Sequence, residues 1–433
     1  VPGSLELKPE ITAPGGNIYS VNGLEQGGKG YENMSGTSMA APQIAGMSAL
    51  FSQYYQAAGL SKTNRSVRHL AQSLLMSTAT PAREDATHYW SVLKQGAGVA
   101  NIGAAITADS YVWMADSANK GASDGKVKVE LGEDAAKNGT YSFSFDLYDL
   151  SGTEQTYDLS ASFFTQAMTT IGGDRYLDEA TAPLVANVTY GSAASGSSVT
   201  VPANGHATVT VNIALTAEQK AALDRDYSVG AYLEGYVFAQ ERTSAEGVSG
   251  TCHSIPVLGF YGSWTASSMF EVGDYYHYQS GEETRMPYLG NAYTDNNVLY
   301  VKYASDNSPY SRGSVLGGNP VVNDSKYLPE RNAINSENGD SIYYWKFCAI
   351  RNVADSRLQI INKTTNTVLA EQTLGHFLGA FYSQYFNPSE YVNLPLDWKP
   401  AGMKEGEQLE LNLTLAPEYY VQDDGSVNWA SLG

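Results

Sequence analysis

Gly36-Thr37-Ser38-Met39-Ala40-Ala41-Pro42 stands between the glycine-rich loop Gly27–Gly30 and an Ala/Met-rich run that reaches from about Thr37 to Ala58. The run predicts a helix, apolar on nearly every face and therefore central in its domain. Ser38 falls in its first turn. There, unpaired backbone N–H groups and the positive end of the helix dipole stabilise an oxyanion forming on a bound carbonyl. Gly36 permits close approach and dihedrals that other residues resist. Pro42 lacks the N–H that would bond the Ser38 carbonyl four residues back, so the helix is loosened at that serine. Ser and Thr are also ordinary helix caps, so Gly-Thr-Ser alone would read as a cap.

Around this stretch, residues 1–115 read as α/β. Leu5-Glu6-Leu7 and Ile11 lead into the turn Thr12-Ala13-Pro14-Gly15-Gly16, and Ile18–Val21 is a short strand run. A second helix, Ser66 to Met76, places Val67, Leu70, Leu74 and Leu75 at helical spacing. Gly96-Ala97-Gly98-Val99-Ala100-Asn101 opens a short final helix.

From about residue 125 the period changes to two. Val127–Leu131, Tyr141–Leu147, Tyr157–Phe163 and Ala207–Ile213 alternate apolar and polar residues between Gly/Ser/Asn turns, a β-sandwich pattern that closes near Ser254–Trp264. A third region from about 266 holds 16 of the 31 tyrosines. Its strand runs are Val298–Tyr303, Ile342–Ile350, Arg357–Ile361, Thr367–Gln372 and Gln408–Leu415, which predict a second sandwich with long insertions. The chain's 433 residues are roughly three domains on a prior of about 150 each.

The formal charge is −19, yet residues 1–115 hold seven basic and seven acidic residues, so the excess lies entirely beyond them. Such a field opposes nucleic acid and anionic membrane. The longest apolar stretch, Met34–Phe51, is broken by Ser, Thr, Pro, Gln and Gly, and reads as a buried helix rather than a membrane span. Cys252 and Cys348 cannot build a four-Cys zinc site. They read as buried thiols or a single disulfide.

The string Gly36–Pro42 closely resembles the nucleophile motif of subtilisin-like serine proteases. Leu7-Lys8-Pro9-Glu10-Ile11-Thr12-Ala13-Pro14-Gly15 is similar to that family's segment before the substrate cleft, Ser77-Thr78-Ala79 to its end-of-helix motif, and Gly96–Asn101 to the close of its catalytic domain. A subtilisin domain followed by fibronectin type III-like modules resembles the cell-envelope proteinases, which include lactocepins and complement-anaphylatoxin peptidases. Ile255–Trp264 looks like the strand ending their first module. Arg351-Asn352 with Leu358–Ile361 and Thr367–Leu369 looks like a strand pair in their second.

The resemblance implies a partial subtilisin-like α/β catalytic domain (1–115) followed by two fibronectin type III-like β-sandwiches (116–265 and 266–433, the last expected to be cut short). It implies Ser38 as the nucleophile, with Gly36, Thr37, Gly15 and Gly16 at the substrate cleft. The expected protein is a secreted or cell-surface serine endopeptidase of a bacterial envelope, acting on protein or peptide substrates without a cofactor.

The chain departs from the family in one respect. The family's Asp, His and oxyanion Asn all precede the serine, and residues 1–37 contain neither Asp nor His. Asn17, Asn22 and Asn33 lie in the wrong segments for the oxyanion role. The expectation is therefore a chain nearly inert by itself, whose residues 1–115 fold only with a missing N-terminal part, in cis or in trans. The rival reading is a non-catalytic adhesion or binding protein with a degenerate protease domain.

The remaining candidates are weaker. Asp85 and His88 follow Ser38 in the order of an α/β-hydrolase triad but share one short turn, which speaks against a triad. His69 and His88 read as surface residues. Asn335-Ser336-Glu337-Asn338-Gly339-Asp340 has the oxygen ligands of a calcium loop but no terminal bidentate Glu, and reads as a solvated turn. Tyr275-Tyr276-His277-Tyr278 reads as sandwich core and rim or as a recognition edge. Asp224-Arg225-Asp226, Glu282-Glu283 and Asp423-Asp424 read as solvated faces.

Overall fold

The computed structural model describes residues 4–23, 30–114, 124–243, 250–266, 269–270, 298–302, 314–316, 318–319, 323–327, 333–335, 339–347, 349, 351–376, 392–398, 403–422 and 424–432. Two compact units divide the chain, Val1–Ala266 and Ser267–Gly433.

The first unit opens with a hairpin of β1 (Ile18–Asn22) and β2 (Gly30–Met34), paired antiparallel with Ile18 opposite Met34. Helix α1 (Thr37–Ala57) follows, and Gly59, in a left-handed conformation at φ 62°, leads the chain out of it. Helix α2 (Val67–Ser77) starts where the Ser66 hydroxyl accepts from the His69 amide. Two shorter helices come next, α3 (Val92–Gln95) and α4 (Ile102–Thr107), the latter capped by the Asn101 side chain. Phe51 and Tyr55 of α1, Leu70 and Leu74 of α2 and Ala105 of α4 share one small core.

Strand β3 (Ser110–Met114) then joins the sandwich, as does each strand that follows in this unit: β4 (Val129–Asp134), β5 (Thr140–Asp149), β6 (Gln155–Ile171), β7 (Asp174–Pro183), β8 (Ala186–Ser192), β9 (Ala194–Ser195), β10 (Ser198–Val201), β11 (His206–Leu215), β12 (Ala231–Glu241) and β13 (Cys252–Tyr261). One sheet runs β3-β5-β11-β8, the other β4-β13-β12-β6-β10-β9 with β7 beside β6. Their inner faces meet in a core that includes Phe145, Leu147, Tyr157, Val209, Val211, Leu233, Val237 and Val257. Helix α5 (Ala217–Asp226) bridges β11 and β12, capped by Thr216. In its Asp224–Asp226 cluster Arg225 pairs with Asp226, and Asp224 pairs with Lys137.

The second unit contains β14 (Val298–Lys302), β15 (Ser314–Val315), β16 (Gly318–Asn319), β17 (Asn323–Tyr327), β18 (Ser341–Phe347), β19 (Val353–Asn362), β20 (Thr367–Thr373), β21 (Val392–Trp398) and β22 (Leu409–Pro417). A sheet β15-β14-β18-β21 and a sheet β20-β19-β22 contribute Phe347, Leu358, Ile360 and Leu415 to a common core, with Met269 and Ala349.

Helix α1 departs from its expected environment. It forms over the predicted residues, but Phe51 and Tyr55 are its only buried side chains. Ala41, Ala45, Ala49 and Leu50 are exposed, Leu50 by 56%. The helix touches α2 and α4 on one side, and two short helices cannot cover a 21-residue apolar cylinder.

Candidate active site and its support

Ser38 enters its position through a sequence of backbone constraints. The strand β2 ends at Met34, and the Ser35 hydroxyl accepts from the Asn17 amide at 2.7 Å. Gly36 then adopts φ 152° and ψ 167°, a region that L side chains avoid. Its amide donates to the Gly15 carbonyl at 2.8 Å, while its own carbonyl accepts from Met39 and Ala40. Gly15 must be glycine for space, since a Cβ there would stand 2.7 Å from the Gly36 oxygen. Gly16 has no such constraint, as nothing lies within 4 Å of its would-be Cβ. The Gln43 side chain, one turn into α1, donates to the Pro14 carbonyl and ties the helix to the same turn.

The result is an exposed Ser38 beside an exposed Thr37, at a helix start that no side chain caps. Met39 and Ala40 spend their N–H groups on Gly36, and among the described residues the Ser38 amide has no acceptor. An uncapped amide next to a hydroxyl at a helix N-terminus is the donor arrangement a developing oxyanion requires.

The turn Pro9–Gly15 is itself supported from below. Thr12 and Val99 form a parallel bridge, and Thr80 and Val99 an antiparallel one. Thr12 N donates to Gly98 O, Ala100 N to Thr12 O and Ala97 N to Glu10 O, each at 2.9 Å. Gly96 and Gly98, both at positive φ, let these backbones touch. A Cβ on Gly96 would stand 2.2 Å from the Pro9 oxygen, and one on Gly98 2.4 Å from the Thr80 oxygen.

Beneath that layer lies the outer face of the larger sheet, which sequence reading did not anticipate as an anchor. On β12, Leu233, Val237 and Ala239 face the sandwich core, whereas Glu234 and Tyr236 face the α/β segment. Glu234 is fully buried and accepts from the Ser91 hydroxyl and, at 2.8 Å, from the Val92 amide. Among the described residues its other oxygen, Oε1, has no partner. Burial pushes its carboxyl up to about 7, against the hydrogen bonds from Ser91 and Val92. Tyr236 donates to the Gly96 carbonyl at 2.7 Å, and the Thr181 hydroxyl to Tyr89 O at 2.8 Å.

His253 on β13 bonds Ser77 at the end of α2 (2.9 Å) and Ser110 on β3 (2.8 Å). Its complete burial holds it neutral, down to about 3. Near the N-terminus, the buried Lys128–Glu130 pair (2.6 Å) grips Leu7, whose amide donates to Glu130 at 2.7 Å. The signal for these anchors was present in the run Tyr232-Leu-Glu-Gly-Tyr-Val-Phe-Ala239. A lone acid within an apolar strand, beside the near-continuous run Ile255–Tyr261, marks a sheet covered on both faces.

The structure gives the other candidates local roles. Asp85 and His88 bond each other at 2.8 Å within one turn. His88, followed by the backbone donors Thr87 and His88, holds the Asp85 carboxyl well below its ordinary range. Neither residue bonds Ser38. The half-buried His69 sits edge-on to Trp113. Asn335 and Asp340 bond each other, and residues 336–338 between them lie outside the described residues, as do Tyr275–Tyr278, Glu282, Glu283, Asp423 and Cys348. Cys252 is a free thiol, exposed at the start of β13 instead of buried as expected. No helix among the described residues is long and apolar enough to cross a membrane.

A cleft of about 670 Å³ lies between the α/β segment and the sandwich, lined in part by Thr80, Arg83, Asp109 and Glu241. A hollow of about 520 Å³ runs along α1 at Ile44, Ser48 and Ser52, against Ala71 and Leu75 of α2. Ser38 lines neither.

Residues 3–126 match the subtilase family and residues 129–258 an Fn3-like domain. The PI-type proteinase of Lactococcus lactis subsp. cremoris is 26% identical over 99% of this chain and 20% of its own length. The PIII-type proteinase of strain SK11 of that subspecies is 27% identical over 84% of this chain and 17% of its own. The C5a peptidase of Streptococcus pyogenes is 31% identical over 61% of this chain and 20% of its own. The chain thus spans about a fifth of the length of these relatives. Over residues 3–126 the chain is thus similar to the subtilase family, and over residues 129–258 to an Fn3-like domain.

Proposed function

We propose that the chain is part of a bacterial cell-surface, subtilisin-like serine endopeptidase in which Ser38 is the nucleophile. The observation that carries this reading is the placement of an exposed Ser38 next to its own unbonded amide, at an uncapped helix start held by the Gly36–Gly15 bond. In the reaction, a base takes the proton from Ser38 Oγ, which attacks the scissile carbonyl carbon. The helix start holds the oxyanion, the C–N bond breaks as the amine receives the proton, and water then hydrolyses the acyl-enzyme. Gly15, Gly16, Gly36 and Thr37 border the peptide, which adds as an extended strand.

Among the described residues no histidine bonds Ser38, so the base and its carboxylate are supplied by a further part of the catalytic domain, in cis or in trans. The exposed apolar length of α1 and the hollow beside it support that reading, because they form the surface such a part would cover. The two sheets of the second unit, with their shared core, support reading 266–433 as a second sandwich. The sandwiches scaffold the catalytic domain and help dock the protein substrate.

The test is labelling of Ser38 by a fluorophosphonate, with S38A as control, on this chain and on the longest secreted form of the protein. Labelling in the long form alone is the expected result. Labelling in neither would favour an adhesion or binding protein built on a protease fold, and labelling of this chain would place a base within its 433 residues.

A further inference from the structure

We infer that Glu234, on the Fn3-like domain, is a positioning residue for Ser38: it holds the Ser91–Gly98 turn against the segment whose Gly15 carbonyl fixes Gly36. This rests on the reading of Ser38 as the nucleophile.

A continuous set of short contacts connects the two sites. The Glu234 carboxylate takes the Ser91 hydroxyl and the Val92 amide, fixing the start of α3. Val92 O accepts from Gly96 N at 2.7 Å, and Gln95 O from Gly98 N at 3.0 Å. Tyr236, two residues along β12, holds the Gly96 carbonyl. Residues 97, 98 and 100 then bond Glu10 and Thr12, and three residues later Gly15 receives the Gly36 amide. The contact with Pro9–Glu10 is tight, because Gly96 already sits where a single methyl group would collide with backbone. A displacement of α3 is therefore passed to Pro9–Glu10 rather than absorbed.

The chemistry of position 234 points the same way. A carboxylate on the outer face of a central strand, with one oxygen unpartnered among the described residues, is costly to bury. An apolar residue would pack there at lower cost, so stability does not explain it. What the carboxylate adds is two directed hydrogen bonds across the boundary between the domains. Misplacing a nucleophile by an ångström costs on the order of 100-fold in rate, so orientation supplied from beneath the site has a kinetic readout.

The experiment compares the longest secreted form with its E234L and E234Q variants. Titration with fluorophosphonate counts active sites, so kcat and KM for a peptide substrate are obtained per site. Amide hydrogen exchange at Gly36 is followed in parallel. The expected result is that E234L lowers kcat per site by about ten-fold or more with KM little changed, while E234Q, which keeps an acceptor oxygen for Ser91 and Val92, recovers the rate to within about three-fold. Gly36 exchange quickens by about ten-fold in E234L alone. A purely structural role would reduce the number of titratable sites and leave kcat per site and Gly36 exchange unchanged, and that result overturns the inference. If the unsubstituted protein fails to label at Ser38, the protease reading falls, and Gly36 exchange alone then decides whether Glu234 positions the loop.

Discussion

The amide of Gly36 donates a 2.8 Å hydrogen bond to the carbonyl of Gly15, joining two segments 21 residues apart immediately before Ser38. One glycine is required for its dihedrals and the other for its lack of a side chain. Together they set the direction in which α1 starts.

Substituting Gly15 tests that relationship. In Gly15→Ala the new methyl group meets the Gly36 oxygen at 2.7 Å, so the bond must lengthen or the turn must move. The rate of fluorophosphonate labelling at Ser38 in the longest secreted form is expected to fall by about 100-fold, whereas Gly16→Ala, in open space, should change it by less than about three-fold. Equal effects of the two substitutions would contradict the proposed close approach.

Helix α1 should respond differently along its length. Phe51 is wholly buried among α2 and α4, and Phe51→Ala is expected to cost about 3–5 kcal/mol in urea unfolding. Leu50→Lys, at an exposed position, should leave the stability of this chain within about 0.5 kcal/mol. In the long form the same substitution should destabilise, since a further part of the domain would bury it. Indifference in both forms would remove the docking role of that face.

His253 makes a signed prediction for acid. Its folded value, about 3, lies below the unfolded 6.5, so the unfolded chain binds the proton first. The stability that the neutral ring contributes is complete above about pH 6.5 and is lost as pH falls from there toward 3. The urea midpoint should decline over that window, and in H253N the decline should be shallower. At neutral pH H253N should cost about 1–3 kcal/mol, because Ser77 and Ser110 lose their partner.

Glu234 acts with the opposite sign. Its folded value, raised to about 7 from 4.5, means that its share of stability is complete below about pH 4.5 and lost as pH rises through about 7. The advantage of E234Q over the parent in urea midpoint should therefore widen from pH 5 to pH 8. A constant difference across that range would show that Glu234 is not desolvated as described.

Much of the local structure could be read directly. The helix from Ser66, the short helix after Gly96–Asn101, the helical spacing of Leu70 and Leu74, and the alternation in Tyr141–Leu147 and Ala207–Ile213 all arise between neighbours along the chain, and each forms where expected. The exposure of α1 could not be read, because an apolar run states that a surface needs covering but not which segment covers it. Strand β3 was equally opaque. Ser110–Met114 pairs with β5, across a composition shift that separates the α/β segment from the sandwich in sequence.

By itself the sequence determined that a serine stands at the start of an apolar helix behind two glycines, and that a two-period sandwich follows. These are consequences of short-range sterics and periodicity, which operate within a few residues. Only the tertiary structure decided that Glu234 and Tyr236 clamp the segment beneath Ser38 and that His253 ties the end of α2 to β3. Their partners Ser91, Gly96 and Ser77 lie more than a hundred residues earlier. A buried polar side chain acquires its meaning from whichever donor the fold brings within hydrogen-bonding distance, and no pattern along the chain encodes that meeting.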